Sequence, residues 1–172
     1  MVISRFTIKS MNQEEYQQIV NDCADALYRF SLKNIKVIEE AKEIVQNSFE
    51  KLWIHREKIE FQRAKSFLFT TAYRNCIDII RKQKNESALD MIKSEPQQHL
   101  NTHVIGLKAL LDNALSQLNE LQRSAILLRD YEGYSYLEIG DILDLNESQV
   151  KIQIFRGRKK LQNIIGNVED IL

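Results

Sequence analysis

The chain has 172 residues, 44% hydrophobic and 28% charged, and its 24 basic side chains balance 24 acidic ones, leaving no formal net charge. That composition belongs to a soluble globular protein of one large or two small domains, and it excludes a fibrous or disordered chain. Phosphate neutralisation supplies most of the affinity of a free-standing DNA binder, so a chain with this charge either does not bind DNA or borrows affinity from a larger partner.

Five glycines and one proline argue for long helices and against a β-rich fold. The opening residues, MVISRFTIKS, lack the apolar core of a signal peptide, and no apolar run approaches the roughly 20 residues that span a bilayer. A cytoplasmic protein without stable membrane insertion is expected. Cys23 and Cys76 stand alone on apolar helix faces and read as buried thiols in a reducing compartment. Asn12 opens a helix with Glu15 at the capping-box position, and Tyr16, Ile19, Val20, Cys23, Leu27 and Phe30 follow at core spacing. A second helix is predicted over residues 37–55, with Ala41, Ile44, Val45, Ser48, Leu52 and Trp53 inward and a carboxylate-rich opposite face. A third spans about 65–83, its core side lined by Phe67, Leu68, Ala72 and Ile79.

From 84 to about 102 the periodicity stops around Pro96, the only proline, which marks a linker. Beyond it Leu107, Leu110, Leu111, Ala114 and Leu118 form one stripe, and Asn119 caps a helix carrying Leu121, Ala125 and Leu128. Residues 133–161 then read as two short helices around a tight turn. Ser135 caps the first, with Glu138 completing a capping box; Asp144, Leu145 and Asn146 make the turn, and Asn146 caps the second. At about 100° per residue, Val150, Ile154, Gly157 and Leu161 share the inward stripe. Ser148, Gln149, Lys151, Ile152, Phe155, Arg156, Lys159 and Lys160 remain as candidate DNA-contacting residues. Five cations and no acid lie between residues 150 and 162, whereas 129–149 carries six acids against one Arg. Such segregation suits a helix-turn-helix whose second helix enters DNA, and a merely solvated face would not select Ile152 and Phe155. His55, His99 and His103 lack metal-ligand spacing, and no phosphate loop or nucleophilic constellation appears. No enzyme, cofactor or metal is expected.

Three stretches taken together carry a family resemblance. EEAKEIVQNSFEKLW (39–53) and SFLFTTAYRNCIDIIRK (66–82) resemble the polymerase-docking and −10-reading segments of the extracytoplasmic-function (ECF) sigma factors. LSQLNELQRSAILLRDYEGYSYLEIGDILDLNESQVKIQIFRGRKKL (115–161) is similar to their −35-reading region. The resemblance implies an all-α fold of two small helical domains joined by a flexible linker. Residues 1–84 would be a region 2-like domain, 85–103 the linker, and 104–172 a region 4-like helix-turn-helix domain. It implies that Glu40, Glu43, Gln46, Asn47 and Glu50 dock on the β′ coiled coil of bacterial RNA polymerase core, with the β flap as a second contact. Tyr73, Arg74, Asn75 and Arg81 would meet the −10 element, with Phe61 and Phe69 as further stacking candidates, and an anti-sigma factor is an implied partner. Departures are local: Lys42 precedes Glu43 where an acidic pair is usual, and Gly140 and Gly157 replace Ala. Asp144 replaces the turn Gly, and Gln153 stands where a basic residue is common. The rival reading is a stand-alone helix-turn-helix regulator with a helical sensing or dimerisation domain, which a basic net charge would favour.

Overall fold

A computed structural model describes residues 11–90 and 107–169, and every element among them is helical. The first three helices are α1 (Gln13–Ile35), α2 (Ile38–His55) and α3 (Phe61–Asp90); the others are α4 (Leu107–Ser116), α5 (Glu120–Ile126), α6 (Tyr136–Leu143) and α7 (Glu147–Glu169). Between α5 and α6 the chain forms a π-helical turn, Leu127–Tyr131.

The caps read from the sequence close as reciprocal pairs. Asn12 Oδ1 accepts from the Glu15 amide at 2.8 Å, and Glu15 Oε2 accepts from the Asn12 amide at 3.0 Å. Each pair satisfies two amides that the first helical turn leaves without partners. Asn119 likewise accepts from the Gln122 amide at 2.8 Å and starts α5. At the other end of α1, Lys36 adopts the left-handed conformation at φ 65° and stops the helix.

The α1–α3 unit buries Ile19, Cys23, Leu27 and Phe30 against Ala41, Ile44, Phe49 and Leu52, with Leu68, Phe69, Ala72 and Cys76 closing the core. Trp53 departs from the expected inward stripe. It lies about 100° around the helix from Leu52, remains 38% exposed, and packs between Tyr16 (ring centroids 4.9 Å apart) and the Arg56 guanidinium at 4.1 Å. Phe49 takes the core place instead. Helix α3 starts at Phe61, earlier than the periodicity suggested, and runs on to Asp90, because KNESALD is polar yet free of Pro and Gly. Residues 85–90 of the expected linker are therefore helical, and 91–103 lie outside the described residues.

In the α4–α7 unit, Ala114, Leu115, Leu118, Ala125, Ile126 and Leu128 pack against Ile139, Ile142, Leu143, Val150 and Ile154. The wider π-turn keeps Leu127 and Leu128 both buried while Asp130 points outward. The two units touch directly: the Phe69 ring sits edge-on between Phe30 (5.4 Å) and Tyr134 (5.3 Å).

Gly140, one of the departures from Ala, costs helix propensity, but its missing side chain is used. A Cβ there would lie 2.5 Å from the carbonyl oxygen of Leu145, which folds back as its amide bonds Gly140 O at 2.9 Å. Gly157 is similarly covered, with Ile126 Cδ1 at 2.6 Å from where a Cβ would be. Gly140→Ala should therefore lose about 1–2 kcal/mol in urea unfolding, because backbone crowding outweighs the roughly 1 kcal/mol gained in helix propensity. Gly166→Ala, with open space around it, should instead gain up to about 1 kcal/mol. Equal effects at the two positions would refute the close approach.

Candidate nucleic-acid interface

The turn between α6 and α7 fixes the angle at which the second helix leaves the domain. Ser135 and Glu138 form the first capping box, and the bonds that the Glu138 carboxylate receives from Ser135 hold its pKa below the usual carboxylate value. Asp144 takes the left-handed conformation at φ 58°, where the sequence placed the turn. The amide of Gln149 then donates to Asn146 Oδ1 at 2.8 Å, and Gln149 Oε1 accepts from the Asn146 amide at 2.9 Å. Gln149 thus spends its oxygen on the cap and keeps only its amide nitrogen for a ligand.

Val150 and Ile154 are buried and Gly157 faces inward, whereas Ser148, Ile152, Phe155, Arg156 and Lys159 lie exposed on the opposite side. Phe155 is 68% exposed, an unusual place for a large aromatic unless a partner covers it. Among the described residues neither Arg156 nor Lys159 enters an ion pair, so both charges are available. Lys151 is partly engaged: its Nζ lies 2.7 Å from Glu147 Oε1 and 5.5 Å from the centre of the Tyr136 ring. Lys160 turns back and donates to the Gln117 carbonyl at 2.5 Å.

Arg158 is not among the candidate DNA-contacting residues read from the sequence. Its Nε donates to Asp130 Oδ2 at 3.2 Å and its Nη2 to Asp130 Oδ1, which raises its pKa above the ordinary arginine value. The π-turn that projects Asp130 is invisible to a 3.6-residue period, so sequence reasoning missed the pair. The Arg129 guanidinium stacks over the Tyr136 ring at 4.6 Å. A groove of about 470 Å³ runs along this side of α7, lined by Tyr136, Lys151, Phe155, Arg158, Lys159 and Gln162.

On the first unit, Glu40, Glu43, Gln46, Asn47 and Glu50 span one arc of α2 about 120° wide. Glu40, Glu43 and Asn47 line a groove of about 240 Å³ whose far wall is Asn75, Asp78 and Ile79 of α3. Asn75 Nδ2 donates to Asn47 Oδ1 at 3.1 Å across this groove. Arg74 and Arg81 are exposed, Arg81 lying 3.9 Å from Asp78. Tyr73 is partly buried, with burial and the nearby Glu120 carboxylate raising its pKa. Phe69 is wholly buried and Phe61 partly so, which places Phe69 in the core of this arrangement.

His55 packs edge-on to Phe67 at 6.3 Å, and among the described residues no three metal-binding side chains cluster. His99 and His103 lie outside the described residues. Both cysteines are free and buried; burial pushes Cys76 up to about 12. No described helix is long and apolar enough to cross a membrane.

Two family matches divide the chain where the fold does. Residues 19–86 match Sigma-70 region 2, and residues 108–161 match Sigma-70, region 4. The chain is 30% identical to the ECF RNA polymerase sigma factor SigM of Bacillus subtilis (strain 168), over 87% of its own length and 91% of that protein's. It is 26% identical to SigW of the same organism, covering 90% of this chain and 91% of the relative. Among solved structures, the fold is like that of the sigma factor RpoE from Bartonella quintana, crystallised with the anti-sigma factor NepR: TM-score 0.74, 24% identity, 89% of this chain and 98% of that one.

Neighbouring positions on α7 should respond oppositely to truncation. Ile154→Ala should cost about 2–5 kcal/mol in chemical denaturation, as a buried isoleucine does. Phe155→Ala should change stability by no more than about 0.5 kcal/mol. A large loss at Phe155 would mean that this face packs against the protein and does not await a ligand.

Proposed function

Since the chain belongs to the ECF family of RNA polymerase sigma factors, we propose that it binds the polymerase core and directs initiation at a small set of promoters. The observation that carries the mechanism is α7, seated by a buried stripe, with Ile152, Phe155 and Arg156 presented together on its open face. Helix α7 enters the major groove of the −35 element. Arg156 reads a guanine edge or grips a phosphate, while Phe155 and Ile152 make apolar contacts such as those available to a thymine methyl. Lys151 and Lys159 lie toward the backbone and add affinity without discriminating sequence. Lys160 supports the α4–α5 connection through Gln117 and reaches phosphate less directly.

The first unit, residues 1–84, docks on the core and holds the −10 element; residues 104–172 read the −35 element. The carboxylates of the α2 arc meet the coiled coil of the β′ subunit, and the Asn47–Asn75 hydrogen bond supports counting Asn75 with this docking groove as well. Arg74 and Arg81 remain the better −10 candidates. The second unit also meets the β flap. Zero net charge fits this division, since the core supplies much of the DNA affinity. The chain is regulatory and carries no catalytic step: binding energy stabilises melted promoter DNA that the polymerase then transcribes. It works in the cytoplasm, and an anti-sigma factor holds it there until its regulon is needed.

Run-off transcription with purified core and candidate promoters tests the assignment. Specific initiation should require this chain, and a core that starts equally well without it would overturn the proposal. With a randomised −35 library, Arg156→Ala should flatten the preference at one position, a contact worth about 1–3 kcal/mol, whereas Lys160→Ala should lower output without changing preferences. Unchanged preferences at every position in Arg156→Ala would pass the reading role to Ser148, Gln149 and Ile152.

Reversing Glu43 and Glu50 together to Lys should weaken core binding roughly ten-fold or more with an unaltered helical circular dichroism spectrum. Wild-type core affinity in that variant would mean the acidic arc is only a solvated face.

A further inference from the structure

The flank of α7 beside its reading face carries an ion pair that the mechanism above leaves unused. At about 100° per residue, Arg158 lies about 20° around the helix from Lys151 and about 60° from Phe155, two turns beyond Lys151. It therefore opens onto the groove of about 470 Å³ that Tyr136, Lys151, Phe155 and Lys159 also line. With Arg129 stacked over the Tyr136 ring, cations crowd this flank, and they have the charge that a DNA backbone requires.

The cations are tied down in different ways. Arg129 Nη1 donates to the Tyr134 carbonyl at 2.7 Å. Lys151 meets Glu147 one turn earlier in its own helix, through a single short contact between side chains that are 54% and 50% exposed. Exposed pairs of that kind rearrange readily. Arg158 is held more firmly, by both oxygens of Asp130, with Nε on Oδ2 at 3.2 Å and Nη2 on Oδ1. Asp130 comes from the π-turn, 28 positions earlier in the chain. A guanidinium gripped through two parallel bonds has spent the same fork with which it would grip a phosphate. The pair is not needed to seat α7, which Val150, Ile154 and Gly157 already do. The two side chains are 51% and 35% exposed, so solvent and a phosphate oxygen can reach them.

We propose that Arg158 is a backbone-phosphate ligand held in reserve, and that Asp130 sets the strength of DNA binding by competing with phosphate for its guanidinium. Asp130 acts twice, since it occupies the ligand and also places a negative charge beside the path of the backbone. The inference rests on the reading of α7 as the −35 helix and adds a division of labour to it. Asp130 governs how tightly every duplex is held, and the choice of sequence stays with Arg156 and its neighbours.

Fluorescence anisotropy of the full chain on a duplex without promoter sequence, over a range of salt, tests this. It is paired with transcription of the randomised −35 library by core carrying each variant. Asp130→Asn should tighten duplex binding roughly three-fold or more and steepen the dependence of log affinity on log salt by about 0.9, the increment of one further neutralised phosphate. Asp141→Asn, which removes an exposed carboxylate without an ion pair among the described residues, should leave that slope unchanged. Adding Asp130→Asn to Arg158→Gln should also leave it unchanged, because the group to be freed is gone. Base preferences at −35 should be those of wild type in Asp130→Asn. Both partners are surface side chains, so neither variant endangers the fold. Weaker duplex binding or altered preferences in Asp130→Asn would make the pair a strut that positions α7. An unchanged slope, or a gain that persists without Arg158, would reduce Asp130 to bulk charge; each of these results overturns the proposal. If no promoter responds even to wild type, the sigma reading fails, while the salt slopes still decide what Asp130 does.

Discussion

The seating of α7 is the constraint on which the functional surface depends. Val150 and Ile154 are buried at one-turn spacing, and Gly157 lets the same helix press onto Ile126 and Gln122. Because these contacts fix the rotation of the helix about its axis, they also fix which side chains are left outside. A helix held less firmly would present Phe155 and Arg156 over a range of angles, and a bidentate contact to a base edge tolerates little such spread. The boxes at Ser135 and Asn146 serve the same end by fixing where each helix of the motif begins.

Charge is arranged on a larger scale by the same logic. The chain is neutral overall, but among the described residues acids cluster on one arc of α2 and around α6, while Arg156 and Lys159, without ion pairs, lie on the outer face of α7. Several cations in the second unit are held by internal partners: Arg158 by Asp130, Lys151 by Glu147, Lys160 by the Gln117 carbonyl. This leaves Arg156 and Lys159 as the available positive groups on the reading face. A neutral protein can therefore carry a locally cationic reading surface without a field that would draw it indiscriminately to nucleic acid.

Much of this was legible in the sequence because it is local. Capping boxes span four residues, and the inward stripe of α7 repeats within one helix, so the caps at Asn12, Ser135 and Asn146 can be read from the chain itself. Departures arose where the deciding partner was distant or the period changed. Phe69 is buried between Phe30 and Tyr134, the latter far along the chain. The bond from Asn75 to Asn47 likewise joins two helices that no local pattern brings together. The length of α3 was missed because polar composition resembles a connector, although no residue in KNESALD stops a helix. Gly140 looked like a local weakness, since nothing in a helical pattern signals a carbonyl approaching from beyond the turn.

The π-turn at Leu127–Tyr131 has a consequence for how this protein can change over evolutionary time. A turn of that kind widens the helix to accommodate an additional residue, so loss of one residue there could restore a regular α-helix without breaking the local hydrogen bonding. Everything downstream would then be rotated by about 100° relative to α5. Tyr134 would swing off Phe69 and Asp130 away from Arg158, and the two units would lose register together. Single-residue deletions between α5 and α6 should thus be purged from natural variants even though each would look harmless to the helix that suffers it.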